Sequence, residues 1–234
     1  ESSLAAGSSS ATSGTNTLTI SGLTSETSYI AYLVVKDVSG NISDVSFFSF
    51  DTPDVTAPIL SVAPTSPITG SSATLNFSTT EDGTYYFLVL AAGDNAPTAA
   101  TVMAQGPGLD AGSSSLFSGF NSVFTGGLSD GTAYKAHVVV KDSAHNISAV
   151  STISFTTLDT TAPTLSLTSP SSVTASGATL NFSTTEAGSY YYLVLAAGAS
   201  TPTAAEVVAQ GVAFAKATSS ATSGANSVLI EGLS

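Results

Sequence analysis

Apolar and polar side chains alternate with a period of two along much of this chain. Ala73, Leu75 and Phe77 alternate with Thr74, Asn76 and Ser78. Tyr134, Ala136, Val138 and Val140 alternate with Lys135, His137, Val139 and Lys141, and Ile153 and Phe155 with Thr152 and Ser154. That spacing predicts strands with one face buried. The denser run Tyr85-Tyr86-Phe87-Leu88-Val89-Leu90 predicts a central strand covered on both faces. Turn signals separate the runs at Glu81-Asp82-Gly83, Ser129-Asp130-Gly131 and Ser143-Ala144-His145-Asn146. One stretch reads as helical, residues 97–106, with Pro near its start and Gly just past its end. Its counterpart is 202–211. Hairpin strands with one short helix in a crossover predict an all-β fold of two-sheet β-sandwiches.

An internal repeat organises these elements. Leu75-Asn76-Phe77-Ser78-Thr79-Thr80-Glu81 returns 105 positions later as Leu180-Asn181-Phe182-Ser183-Thr184-Thr185-Glu186. Thr56-Ala57-Pro58 returns at Thr161-Ala162-Pro163, and Asn41-Ile42-Ser43 at Asn146-Ile147-Ser148, at the same spacing and without gaps. A 105-residue period exceeds a solenoid unit and fits a small autonomous domain. It divides the chain into the C-terminal part of a unit, 1–54, a complete unit, 55–159, and the N-terminal part of a third, 160–234. The joints at 51–58 and 158–163 are short and carry proline, which predicts semi-rigid connections. The chain opens in mid-repeat at Glu1 with no charged-then-apolar leader, so no signal peptide is expected within this stretch.

Gly127-Leu128-Ser129-Asp130-Gly131-Thr132-Ala133-Tyr134 resembles the Leu-x-x-x-Thr-x-Tyr corner of fibronectin type III domains. Leu23, Thr27 and Tyr29 repeat the corner in the first unit. Val138-Val139-Val140-Lys141-Asp142 and Asn146-Ile147-Ser148 resemble that family's penultimate strand and last hairpin. The Thr-Ala-Pro entry and the Pro-Thr-Ala-Ala helix are similar to tandem Ig-like repeats of large bacterial surface proteins of the adhesin type. The resemblance implies tandem Ig-like or fibronectin type III-like sandwiches, each with one short helix in a crossover. It also implies an extracellular, cell-surface location and a structural role. Tyr29, Tyr134, Leu23 and Leu128 would then be corner residues. The chain departs from fibronectin domains in having no tryptophan, and Phe77 and Phe182 are the expected occupants of that space.

Composition narrows the partners. There are 4 basic residues, all lysine, against 16 acidic ones, a net charge of −12. Charged residues are 9% of the chain, against about 25% in ordinary soluble proteins. So few cations cannot neutralise a run of phosphates, which argues against nucleic acid and against anionic lipid. No apolar run approaches the ~18 residues of a membrane span. The absence of cysteine removes disulfides, thiolate metal sites and cysteine nucleophiles.

Little catalytic chemistry is legible, and no enzyme is expected. His137 falls on the outward face of its strand and His145 in a hairpin turn, so both read as exposed surface residues. No G-x-S-x-G elbow, phosphate loop or H-E-x-x-H motif is present. No cofactor is expected, with calcium at the unit joints the one candidate, since arrays of sandwiches stiffen joints with carboxylate-held Ca²⁺. Asp51 and Asp54 would serve the first joint, with Glu81, Asp82 or Asp130 from nearby turns. Asp159 would serve the second, with Glu186. The Asn-x-Ser sequons at Asn41, Asn76, Asn146 and Asn181 read as hairpin and strand asparagines. Lys36, Lys135 and Lys141 fall on outward positions, which argues against isopeptide cross-links. Tyr85, Tyr86, Tyr190, Tyr191 and Tyr192 read as sheet-packing residues.

The leading expectation is a structural repeat segment of an extracellular bacterial filament or adhesin stalk, a semi-rigid spacer. Its partners would be neighbouring units of the same protein or filament, with the distal adhesion target unspecified. A second reading is a self-assembling fibre subunit that polymerises by strand complementation between chains. Residues 1–24 correspond to 211–234, so a composite unit would carry one strand twice, which weighs against it. A third reading is a carbohydrate-binding sandwich using exposed tyrosines.

Overall fold

The computed structural model describes residues 6–213 and 215–233. The first elements are β1 (Ser28–Leu33), β2 (Ser46–Asp51), β3 (Leu60–Ala63), β4 (Ser72–Thr79) and β5 (Gly83–Ala91). After the helix α1 (Ala99–Met103) come β6 (Asp110–Leu116), β7 (Gly119–Gly126), β8 (Ala133–Lys141) and β9 (Ser151–Thr156). The remainder is β10 (Leu165–Ser171), β11 (Ala178–Thr184), β12 (Gly188–Val194), α2 (Ala204–Ala209), β13 (Ala215–Ala221) and β14 (Gly224–Ile230). The fold is all-β, built of paired antiparallel sheets with two short helices among the described residues.

Two compact units divide after Thr160. In the first, β3-β4-β7 make a three-stranded sheet and β6-β5-β8-β9 a four-stranded one, with every pairing antiparallel. The period-two pattern explains the core between them. β4 turns Ala73, Leu75, Phe77 and Thr79 inward, each buried, while the residues between them are half-buried. From the facing sheet Phe87, Val89, Ala136, Val138 and Val140 meet them. Phe77, in the space expected for tryptophan, is fully buried and packs edge-on to Tyr85 at 6.1 Å.

The four-stranded sheet also has a second, smaller core on its other face. There Leu88 and Val139 are covered by Val102 of α1. The helix is shorter than its apolar pattern suggests, five residues with Thr98 as N-cap, whose hydroxyl accepts from the Thr101 amide. Its cover corrects the expectation for His137. That side chain does lie on the face away from the main core, paired across the sheet with Leu88 and Thr152, yet it is 2% exposed. Alternation identified the face, but not the layer laid over it. His145 is exposed, as its turn position suggests, in a left-handed conformation (φ 77°) where the first unit has Gly40 (φ 95°).

The hairpin β1–β2, also within the first compact unit, pairs Tyr29 with Phe50 and Tyr32 with Phe47. The second unit repeats part of the sandwich: β10-β11-β14 form one sheet and β12-β13 the other. No described helix is long and apolar enough to cross a membrane.

Candidate functional site

Two corners carry the fold's most specific chemistry. After β7 the chain crosses between sheets, and the Tyr134 hydroxyl on β8 accepts a hydrogen bond from the Ser129 amide at 2.9 Å. Tyr134 is buried against Phe155, with ring centroids 5.8 Å apart, and Leu128 is buried beside them in the same core. Thr157 closes the loop: its hydroxyl donates to the Ser129 carbonyl at 2.7 Å and accepts from the Thr132 amide at 2.9 Å. The first corner has the same bonds, Thr24 amide to Tyr29 hydroxyl at 2.9 Å and Thr52 hydroxyl to Thr24 carbonyl at 2.6 Å. The Thr24 amide holds the Tyr29 hydroxyl below the usual phenol pKa. Leu23 there is only half-buried. Sequence reading missed Thr52 and Thr157, although the repeat places one on the other.

Three carboxylates converge elsewhere in the same unit. Asp54 follows β2, Glu81 lies in the turn between β4 and β5, and Asp142 directly follows β8. One carboxylate oxygen from each lies within 4.8 Å of the others. Asp142 is buried and held by its hairpin: it accepts from the Asn146 amide at 2.8 Å and from the Asn146 side chain at 2.9 Å. The same Asn146 side chain reaches the Asp54 carbonyl at 3.3 Å. Partial burial pushes the Glu81 carboxyl above its ordinary pKa, and the charges of Asp54, Asp142 and Glu26 push it further.

This arrangement joins two of the expected joint residues, Asp54 and Glu81, and leaves the others apart. Asp51 accepts from the Ser28 hydroxyl at 2.6 Å, Asp82 from the Ser118 amide at 2.7 Å, and Asp130 from the Thr160 amide at 3.0 and 2.9 Å. Asp159 is exposed and lies beside Gly131. Glu186 belongs to the second unit. Asp142 was missed, although its signal was in the text as Asp-x-x-x-Asn, present at both Asp37–Asn41 and Asp142–Asn146. One oxygen from each of three residues gives hard ligands for a divalent cation, but about half or fewer of the 6–8 that Ca²⁺ takes.

Other candidates are absorbed by structure. His137 Nδ1 lies 3.0 Å from the Thr152 hydroxyl, and its buried Nε2 has no hydrogen-bond partner. Burial, and secondarily Lys135, hold its pKa below the ordinary imidazole value. Asn76 donates to the Pro64 carbonyl at 2.9 Å and accepts from the Ser122 hydroxyl at 2.8 Å. Asn181 donates to the Ser169 carbonyl at 3.2 Å, so both strand asparagines tie neighbouring chain segments together. Tyr85 packs on the main core and Tyr86 on the small one, while Tyr190 meets Phe182 edge-on at 5.4 Å. Of the tyrosine cluster only Tyr191 is classed as exposed, at 39%.

No family model matches the chain, and no curated protein does. Among solved structures it is similar to the chitinase ChiA74 from Bacillus thuringiensis, at 18% identity over 61% of this chain, with a TM-score of 0.33. It is also similar to the FN1–FN3 domains of chicken CNTN1, at 17% identity over 58% of the chain, with a TM-score of 0.33. The sensor domain of the anti-sigma factor RsgI4 from Pseudobacteroides cellulosolvens matches at 19% identity over 45% of the chain, with a TM-score of 0.30. The chain spans 20% of the length of the chitinase, 43% of the CNTN1 fragment and 99% of the sensor domain. Likeness this distant carries no functional argument.

Proposed function

We propose that this chain is a structural repeat segment, a semi-rigid spacer within an extracellular bacterial surface filament or adhesin stalk. The observation that carries the reading is the repeat itself. Two near-copies of one sequence build matching three-stranded sheets, β3-β4-β7 and β10-β11-β14, and the tyrosine corner recurs with the same bonds. Repetition of a packed unit with proline-bearing joints serves length and spacing. A surface of Ser, Thr, Ala and Gly with a net charge of −12 keeps such units apart in solution. Antiparallel pairing between strands distant in sequence resists extension, because the hydrogen bonds of a sheet must be broken before the chain can lengthen. The reading assigns the chain no catalytic step and no cofactor, and its partners are neighbouring units.

Pulling the 234-residue chain between its termini in single-molecule force spectroscopy tests this. A discrete rupture should release roughly 350 Å of contour, the extended length of one repeat at ~3.3–3.6 Å per residue. Featureless extension at low force would overturn the reading.

A further inference from the structure

Position 25 in the first corner and position 130 in the second lie one repeat apart, and both are half-buried. Ser25 and Asp130 each offer a short side chain with an accepting oxygen. The two residues are held alike. A corner threonine donates its hydroxyl to the carbonyl of each, Thr27 to Ser25 at 2.9 Å and Thr132 to Asp130 at 2.7 Å. The corner tyrosine takes the amide of the residue just before, so the backbone is tied on both sides of the position.

Each side chain then takes the same distant amide. Val55 donates to the Ser25 hydroxyl at 3.1 Å across a separation of 30 residues. Thr160 donates to the Asp130 carboxylate at 3.0 and 2.9 Å, again across 30 residues. Val55 and Thr160 are themselves one repeat apart and lie in the two proline-bearing joints. The residue types differ while the bond recurs. We propose that the side chain at positions 25 and 130 is a clasp that fixes the direction in which the chain leaves each corner for the joint. The inference deepens the spacer reading and rests on it for its use, since a joint limits bending only where its exit is held.

The surroundings of each clasp are built to match. At the second joint the Thr160 hydroxyl also donates to Asp130, and Gly70, between β3 and β4, forms the opposite wall. A Cβ on Gly70 would meet the Thr160 hydroxyl oxygen at 2.7 Å and the Asp130 carboxylate at 3.3 Å, so a missing side chain makes the seat. Just before it the Leu158 amide donates to the Thr69 carbonyl at 3.0 Å. At the first joint the Ser25 hydroxyl donates to the Pro53 carbonyl at 3.0 Å, and the Asn146 side chain reaches the Asp54 carbonyl. Charge-assisted bonds are the stronger ones, so Asp130 makes the tighter clasp.

Nitrogen-15 relaxation of the 234-residue chain reads the clasp at the Thr160, Thr161 and Ala162 amides. Their order parameters should lie near the rigid value of about 0.85, and Asp130→Ala should drop them toward about 0.6. The same variant should speed exchange of the Thr160 amide about tenfold. Asp130→Ser installs the residue that the first corner uses, and should keep most of the order and the protection. The melting temperature of the first unit should move by no more than about 4 °C in either variant, which separates a loosened joint from a damaged sandwich. Gly70→Ala reaches the joint from the other side with Asp130 intact, and should loosen the same amides.

Order and exchange at Thr160 unchanged by Asp130→Ala overturn the clasp. An Asp130→Ser chain as loose as Asp130→Ala overturns it too, because the position would then not work by accepting the amide. Rupture under force belongs to the sandwich and does not need the clasp. A chain that ruptures but has a loose joint therefore overturns this inference alone, and one that extends without rupture overturns the spacer reading alone.

Discussion

At the scale of single residues, polar groups held in awkward company decide the energetics. Tyr134→Phe removes only the bond to the Ser129 amide and should cost about 1 kcal/mol. Tyr134→Ala also empties a core position and should cost about 3–5 kcal/mol, both read by denaturant unfolding of the first unit. Glu81 works in the opposite sense. Its folded pKa is raised, first by burial and then by Asp54 and Asp142, so the folded state holds its proton more tightly than the unfolded chain. Its favourable contribution is present below the ordinary value of 4.5 and is lost as pH rises through the raised folded value. Glu81→Gln should therefore raise the melting temperature at neutral pH in chelator, and the gain should vanish below about pH 4. His137, with a lowered pKa, stays neutral when folded while the unfolded chain takes up a proton near 6.5. Stability should fall as pH drops through 6.5, and His137→Leu should flatten that acid limb, as melting curves from pH 8 to 5 would register. Alternation located both faces of β8 correctly. It could not reveal His137 as buried, because the cover comes from α1, some thirty-five residues away.

At the scale of elements, local turns form from local sequence and strands need their neighbours. Asn16, Asn121 and Asn226 occupy one position in successive repeats. Each donates from its side chain to a carbonyl four residues back, at 2.7, 2.9 and 2.8 Å. Two of the three turns sit next to strands, yet the turn at Thr12–Asn16 forms with no strand on either side. The helices show the same division. Both begin at a threonine N-cap, but Val102 is fully buried against Leu88 and Val139, whereas Val207, one repeat later, is half-buried. Val102→Ala should cost about 2 kcal/mol or more by thermal denaturation, and Val207→Ala a small fraction of that. The sequences around these two helices are too alike to predict the difference. It arises in the tertiary packing, where Val102 is enclosed against Leu88 of β5 and Val139 of β8.

At the scale of the whole molecule, two compact units, the first holding the large buried core, imply two unfolding events rather than one. Calorimetry of the dilute chain should resolve two transitions, with residues 161–234 melting first. Phe77→Ala should lower the upper transition and Phe182→Ala the lower one, since each ring anchors its own core. The period of two, the 105-residue repeat and the tyrosine corner were all legible from residue order, because each depends on spacing along the chain. Asp54 and Glu81 were both named from residue order, and the structure brings their carboxylates near one another. Asp142 was not recognised as their partner, since only the β8 hairpin and its Asn146 bonds bring it beside them. By itself the sequence determined the local turns and the spacing of the repeat. The tertiary structure alone decided which faces are covered and which carboxylates meet. The reason is that backbone pairing and burial are satisfied between segments far apart in the chain.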